Sequence, residues 1–249
     1  MFFNNWIKKE FLTREEEMRI IASIFLVVVC FSNASCASVP MSTLSPYYSD
    51  EKAIAYAKKM SYFVIAESRR GSVLRVERGM AVILMKKNGR CILATAKHII
   101  QDASFITVMP LDGDSITHKK IKADVIYVDS SEDLAFLSVE MSDKSVDTRM
   151  EMDENLLIGK PVFTYRHISD NSYKLARGRI IDVWKLPNNA EVIAVEMSIE
   201  KGFSGAGVFD DAGILVGLAI GQARDKRFDV AYLISGPKIW AALFKSKII

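Results

Sequence analysis

Short runs of apolar and β-branched residues, separated by turn residues, dominate the chain between residues 61 and 234. This pattern predicts an all-β sandwich or barrel. Asn88-Gly89, between two of the runs, is a strong hairpin signal. The polar stretch 142–154 divides the runs into two sets. The first set comprises residues 62–66, 73–76, 81–85, 92–96, 105–109, 121–128 and 134–139, and the second comprises residues 161–165, 173–184, 192–197, 207–209, 214–220 and 230–234.

A short helix is predicted at each end of this β region. Residues 38–49 are rich in Ser and Pro and form a linker, and residues 50–60 follow with a narrow apolar face that suits a helix. Ser49 or Asp50 can cap the first turn of that helix. A second helix is predicted over residues 237–244.

The size and charge of the chain limit the kind of protein that it can be. It has 249 residues, of which 50% are apolar, so it can build a substantial core. The net charge is +3, from 33 basic and 30 acidic residues. Nothing in this balance indicates a nucleic-acid partner.

Residues 20–31 form an apolar stretch of twelve residues that follows Met18-Arg19. A short hydrophobic region after a basic start, with small residues behind it, is typical of a secretory signal peptide, so residues 1–37 are assigned to one. Twelve residues are too few to span a bilayer comfortably, which favours cleavage over a permanent anchor. Met18 is an alternative start, because acidic residues occupy positions 15–17, where a signal peptide carries positive charge.

Two routes of processing stay open. Ser35 and Ala37 satisfy the small-x-small rule for cleavage after Ala37, whereas Cys36 is an alternative first residue that would carry a lipid. We expect an exported protein, periplasmic or secreted, which attaches to a membrane only if it is lipidated at Cys36 or left uncleaved. After cleavage behind Ala37, Cys91 is the one remaining cysteine. No intramolecular disulfide is then expected, and Cys91 is predicted to be a buried core thiol.

A glycine-flanked serine, Ser204, stands directly before the apolar run 207–209. A serine hydroxyl is a poor nucleophile alone, so the motif needs a base and a group that orients the base. His98 follows the apolar run 92–96, and Asp133 precedes the run 134–139. The chain therefore supplies a candidate base and a candidate acid upstream of the serine.

The chain order His, Asp, Ser resembles that of the trypsin-like serine proteases with two β-barrels, and the closest likeness is to the bacterial HtrA (Deg) branch. Few residues follow Ser204, so we expect no PDZ domain of the kind usual in that branch. The resemblance runs from about residue 61 to residue 240. Members carry Thr-Ala-Ala-His, Asp-Leu-Ala-x-Leu and Gly-Asn-Ser-Gly-Gly segments, which correspond here to Thr95-Ala96-Lys97-His98, Asp133-Leu134-Ala135-Phe136-Leu137 and Gly202-Phe203-Ser204-Gly205-Ala206.

The resemblance implies an all-β fold of two six-stranded barrels with short N-terminal and C-terminal helices. After residues 38–60, the first barrel would span residues 61–145, and residues 146–249 would hold the second barrel and the C-terminal helix. The active site would lie in the cleft between the barrels.

The resemblance also implies the catalytic roles. His98 would be the general base, Asp133 its orienting acid and Ser204 the nucleophile. The backbone amides of Gly202 and Ser204 would form the oxyanion hole. The expected substrate is a peptide or an unfolded protein, without metal or organic cofactor. The oligomeric state is not indicated.

Some assignments have alternatives. Asp129 is a rival to Asp133 as the acid, although Asp133 matches the family pattern and precedes a buried run. Phe203 and Ala206 depart from the family, which commonly has a polar residue before the serine and a second glycine two residues after it. Phe203 excludes the buried salt bridge that switches on trypsin-type zymogens. These departures support a second hypothesis, a catalytically inactive module that binds peptides or partner proteins in the same cleft. An esterase of the α/β-hydrolase type is disfavoured, because its serine precedes its histidine.

The specificity pocket is inferred from the same resemblance. Ser198 would lie near the pocket floor, and no carboxylate occupies that position, so cleavage after small or medium apolar residues is predicted. Two acidic residues, Asp225 and Asp229, leave an alternative open, since either would give the pocket a negative charge if its side chain pointed inward. The predicted pocket wall consists of Leu218, Ala219, Ile220 and Gly221.

Overall fold

The computed structural model describes residues 51–87, 89–111, 120–140, 148–169, 172–186, 190–224 and 228–248. Several predictions fall outside these described residues: the assigned signal peptide with Met18 and Cys36, the linker 38–49, the candidate cap Asp50, Asn88 and Asp225. Among the described residues, none of the helices has the length and the apolar composition of a transmembrane span.

The described residues are mostly strands, with few helices. The helices are α1 (Glu51–Lys59), α2 (Lys97–Ile100) and α3 (Gly236–Lys245). The strands of the first half are β1 (Ser61–Arg70), β2 (Val73–Lys87), β3 (Arg90–Ala96), β4 (Phe105–Pro110), β5 (Ile121–Val128), β6 (Leu134–Glu140) and β7 (Thr148–Arg149). Those of the second half are β8 (Pro161–Ser169), β9 (Ser172–Lys185), β10 (Glu191–Glu196), β11 (Gly207–Asp210), β12 (Leu215–Arg224) and β13 (Asp229–Ser235).

Six strands close the first barrel in the order β1-β4-β5-β6-β3-β2, because β2 pairs back onto β1. The short β7 adds to the outer side of β2. The predicted runs 73–76 and 81–85 are one strand, since β2 continues through Gly79 without a turn. The strands β2 and β3 form the predicted hairpin, in which Gly89 has a φ of 74°.

The second barrel is a closed antiparallel ring of β10-β13-β12-β11-β8-β9. Two six-stranded barrels are therefore present, which confirms the predicted all-β fold. The buried apolar side chains form two clusters: the first comes mainly from the first barrel and the second mainly from the second barrel, and each includes some residues of the other barrel. Cys91 lies in the first cluster, and burial raises the pKa of its thiol to about 11, so it is protonated at neutral pH.

The pairing of β3 with β6 positions the first half of the candidate site. In this ladder Ala96 faces Leu134, so the end of β3 lies beside the start of β6. The backbone amide of Lys97 donates to the carbonyl oxygen of Asp133 at 3.2 Å and extends the ladder by one step. Residues 97–100 then turn into the short helix α2 instead of continuing the apolar run as a strand. His98 therefore leaves the barrel at the end where Asp133 enters it.

Candidate active site

His98 and Asp133 contact each other twice. The Asp133 Oδ2 atom lies 2.6 Å from His98 Nδ1, and Asp133 Oδ1 accepts a hydrogen bond of 2.9 Å from the His98 backbone amide. The two side chains are 46% and 27% exposed, respectively. One carboxylate thus holds both the backbone and the ring of the histidine, which leaves Nε2 as the free ring nitrogen that can face a substrate.

The pKa of His98 is raised above its ordinary value. The hydrogen bond that Asp133 accepts from the ring is the largest cause; burial opposes it, and the negative charges of Asp133 and Glu77 add to the rise. The protonated ring is therefore stabilised in this setting. A base that must accept a proton during a reaction benefits from such stabilisation.

Asp129, the rival acid, has a different position. It is 4% exposed, and its Oδ1 accepts hydrogen bonds from the amides of Ser131 and Glu132 at 2.8 and 2.9 Å. The Tyr127 hydroxyl donates to Asp129 Oδ2 at 2.7 Å. Burial alone would raise the pKa of Asp129, but these hydrogen bonds outweigh it and hold the pKa well below its usual range. Asp129 therefore shapes the turn that presents Asp133 to His98.

Ser204 lies in a turn that two glycines make. Gly202 has a φ of 102° and Gly205 a φ of 80°, both in the region that side chains resist. The amide of Phe203 donates to the carbonyl of Glu200 at 3.2 Å, and the amide of Ala206 donates to the carbonyl of Phe203 at 2.9 Å. These bonds close two consecutive turns around the serine.

The serine turn of the second barrel rests on the first barrel. The Met80 amide donates to the Ser204 carbonyl at 2.8 Å, and the Thr95 hydroxyl donates to the Met80 carbonyl at 2.8 Å. Thr95 lies three residues before His98, so one set of contacts anchors both candidate residues. Within the described residues, no direct hydrogen bond joins the Ser204 hydroxyl to His98. Hydrogen bonds between catalytic groups are often long in ligand-free enzymes.

Close packing here requires glycine at two positions. A Cβ on Gly205 would lie 2.0 Å from the Met80 carbonyl oxygen. A Cβ on Gly79 would lie 2.2 Å from Ile99 Cδ1 and 2.8 Å from the Ser204 carbonyl oxygen. Glycine at 79 and 205 therefore lets the serine turn, β2 and α2 approach one another.

The turn also presents two backbone donors. Among the described residues, the amides of Gly202 and Ser204 donate no hydrogen bond to the protein, whereas the amides of Phe203, Gly205 and Ala206 do. Two unpaired amides on either side of Phe203 are suited to an anion that forms beside Ser204.

Comparison with known proteins bears on this geometry. Residues 79–218 match the family model of the trypsin-like peptidase domain, which is more than half of the chain. The chain belongs to the trypsin-like peptidase family. The match includes the segments that carry His98, Asp133 and Ser204, and it confirms the resemblance inferred from the sequence.

A curated relative is the serine protease Do-like HtrA of Lactobacillus helveticus, which is 25% identical over 161 residues. The match covers 61% of this chain and 38% of that protein, so the chain spans well under half the length of the relative. Among solved structures, the active form of the Rv3671c protease from M. tuberculosis superposes with a TM-score of 0.65 at 18% identity. That match covers 81% of this chain and 86% of the other. The inactive form superposes with a TM-score of 0.62 at 17% identity, covering 81% and 96%. These two likenesses confirm the fold.

The departures of this trypsin-like chain from the family pattern have a packing reason. Phe203 and Ala206 are 0% and 1% exposed, and both belong to the apolar cluster of the second barrel. An apolar residue at 203 therefore anchors the serine turn by burial instead of through a polar contact.

The predicted specificity residues lie on β12 and on the segment before the serine turn. Leu218 and Ala219 are buried, whereas Ile220 and Gly221 are partly exposed. Ser198 is exposed, and its hydroxyl donates a hydrogen bond of 2.8 Å to Asp229 Oδ2. A carboxylate therefore lies beside Ser198, which is the arrangement that would change the charge of the predicted pocket.

Sequence reasoning missed a cavity of about 190 Å³ that adjoins His98 on the first barrel. Glu77 and Arg75 line it and form an ion pair, with Arg75 Nε 2.9 Å from Glu77 Oε1. Both residues precede Gly79 on β2, and no local motif distinguishes them from other surface charges of a strand.

Proposed function

We propose that this chain is an HtrA-like serine endopeptidase that hydrolyses peptide bonds through an acyl-enzyme. The observation that carries the proposal is the paired contact of Asp133 with His98 beside a serine turn that Met80 holds in place. The family match supports the same conclusion. The substrate would be a peptide or an unfolded protein.

In the acylation step, Ser204 Oγ attacks the carbonyl carbon of the scissile bond while its proton passes to His98 Nε2. The carbonyl electron pair moves to the oxygen, which accepts hydrogen bonds from the amides of Gly202 and Ser204. Asp133 holds the ring and stabilises its positive charge. When the intermediate collapses, the carbon–nitrogen bond breaks and His98 gives its proton to the leaving amine.

Deacylation repeats these roles with water. His98 takes a proton from the water, whose oxygen attacks the ester carbon. The ester bond then breaks, the Ser204 oxygen recovers the proton from His98, and the acid product leaves.

We also propose that Asp229 sets the charge of the specificity pocket formed by Ser198 and the residues from Leu218 to Gly221. Its carboxylate accepts a hydrogen bond from Ser198 at the predicted floor. A carboxylate in that position favours a basic substrate side chain over an apolar one. This replaces the apolar preference expected from the sequence.

A serine-directed fluorophosphonate probe tests the proposed activity, since it reports an activated nucleophile without knowledge of the substrate. We expect covalent labelling of the purified protein at Ser204, loss of labelling in Ser204→Ala and strong reduction in His98→Ala. Ser104→Ala is the matched control, because the Ser104 hydroxyl bonds to the Glu67 carbonyl on the surface. An unlabelled wild type would favour the inactive peptide-binding module instead.

The N-terminal sequence supports export to the periplasm or the medium as a further part of the proposal. Mass spectrometry of the exported protein would then find a mature chain that begins at Ser38, or a lipid on Cys36 if the lipoprotein route is used. An intact N-terminus would contradict cleavage.

A further inference from the structure

Arg166, near the end of β8, makes contacts that the proposed catalytic cycle does not use. Its side chain is 20% exposed, and its Nη2 atom donates to Glu200 Oε1 at 2.6 Å. The guanidinium carbon lies 5.6 Å from the centre of the Phe203 ring, within the range of a cation–π contact. A Cβ on Gly202 would lie 3.3 Å from Arg166 Nη1. One guanidinium thus contacts Glu200 and Phe203 and lies beside Gly202.

Glu200, the partner of Arg166, makes hydrogen bonds through both its side chain and its backbone. Lys174 Nζ donates to the same Glu200 Oε1 at 2.8 Å, and these two hydrogen bonds lower the pKa of Glu200. The Glu200 backbone carbonyl in turn accepts the Phe203 amide. Glu200 stays ionised at neutral pH and links Arg166 to the backbone of the turn.

The serine turn contains a residue, Gly202, whose conformation is not restricted by a side chain of its own. A glycine at φ 102° has no side chain to hold its conformation, so its peptide groups can rotate at little energetic cost. Rotation would turn the Gly202 amide away from the position beside Ser204. Phe203 excludes the buried salt bridge that orders this turn when trypsin-type zymogens are activated, so that contact does not hold the Gly202 peptide here.

We propose that Arg166 is a positioning residue that keeps the Gly202 amide in the orientation needed for the oxyanion hole, acting through Glu200 and Phe203. The proposal rests on the serine-peptidase function above. It implies that the serine turn is held by a cation within the folded barrel, with no new N-terminus required.

The test compares the kinetics of the Arg166→Gln and Glu200→Gln variants with those of the wild type, all as the full chain. An oxyanion contact is stronger in the transition state than in the bound substrate, so its loss lowers kcat and leaves KM nearly unchanged. We expect kcat for a peptide ester, and the rate of labelling by the fluorophosphonate, to fall at least about tenfold in both variants. A peptide boronate, which mimics the tetrahedral intermediate, should lose affinity by a similar factor. Arg166→Lys keeps the charge but not the planar contacts, and should recover only part of the rate.

Arg90→Gln is the matched control. Arg90 pairs with Glu140 at 3.0 Å on the exposed surface of the first barrel, so its loss should leave kcat unchanged. If Arg166→Gln does not fold, Glu200→Gln decides, because the Glu200 side chain is 47% exposed and its replacement leaves no buried charge unpaired. Folded variants with wild-type kcat and boronate affinity would overturn the proposal. So would a change confined to KM. A wild type that the probe does not label would overturn the proposed function itself, and this inference with it.

Discussion

The backbone amide of Met80 on the first barrel donates a 2.8 Å hydrogen bond to the carbonyl oxygen of Ser204 on the second. This bond joins β2 to the serine turn, and the Thr95 hydroxyl bonds to the carbonyl of the same Met80. Since Thr95 lies only three residues before His98, the position of the serine relative to the histidine depends on these two hydrogen bonds.

Gly205→Ala tests the contact between β2 and the serine turn. An added Cβ would lie 2.0 Å from the Met80 oxygen, at a φ of 80° that alanine resists. We expect more than about 2 kcal/mol of destabilisation, measured by urea unfolding, and loss of probe labelling. Gly71→Ala is the control, because Gly71 has a φ of 61° but open space around it, so it should lose only about 1 kcal/mol. Equal losses in the two variants would mean that the contact with Met80 is unimportant.

The fall of kcat/KM at acidic pH, called the acid limb, should follow the protonation of His98. The neutral ring is the active form, and the pKa of His98 is raised, so activity should be lost as the pH falls through that raised value. Asp133→Asn removes the largest cause of the rise, and the limb should therefore move to lower pH. In the same variant kcat should fall by roughly a thousandfold or more, because the ring is no longer oriented.

Glu77→Gln provides the graded control for the pH profile. Glu77 raises the pKa of His98 through its charge alone, so this variant should shift the limb in the same direction by a smaller amount and keep most of kcat. A limb that stays in place in Asp133→Asn would contradict the pairing of the two residues.

Substrate profiling of Asp229→Asn tests the specificity pocket. In a peptide library read by mass spectrometry, we expect the wild type to cleave after Lys or Arg. The variant should lose that preference by roughly tenfold to a hundredfold relative to apolar residues, as the loss of a hydrogen-bonded charge implies. Asp211→Asn changes the net charge equally from an exposed turn and should keep the wild-type profile. Identical apolar profiles in all three proteins would show that Asp229 does not face the substrate.

Lys160 is predicted to be important for stability. Its ammonium lies 2.8 Å from Asp153 Oδ2 and 2.7 Å from Asp210 Oδ2, and these carboxylates are 9% and 3% exposed. Lys160→Met leaves two buried carboxylates facing each other, so the free energy of unfolding should fall by about 3–5 kcal/mol in urea titrations. Lys122→Met breaks an exposed pair with Asp124 and should change it by less than about 1 kcal/mol. A Lys160→Met protein as stable as the wild type would refute the bridging role.

Much of the fold was predictable because strand periodicity and turn chemistry are local properties. The hairpin at Gly89 and the long strand β9 lie where the sequence predicts them. The predicted break within residues 73–85 was wrong, because Gly79 serves a close approach to Ile99 and Ser204 instead of a turn. The helix α2 over Lys97–Ile100 was not predicted, and it begins where the β3 ladder ends beside Asp133.

The sequence by itself determined two sets of strands and a glycine-flanked serine, because strand pattern and turn residues are local properties. It also determined the chain order of His98, Asp133 and Ser204. The tertiary structure alone decided which acid meets the histidine, that Asp229 lies beside Ser198, and that Arg166 lies over the Phe203 ring. Those contacts join residues up to dozens of positions apart. They depend on strand register and on how side chains fill the space between packed strands, and neither is encoded in any short stretch of sequence.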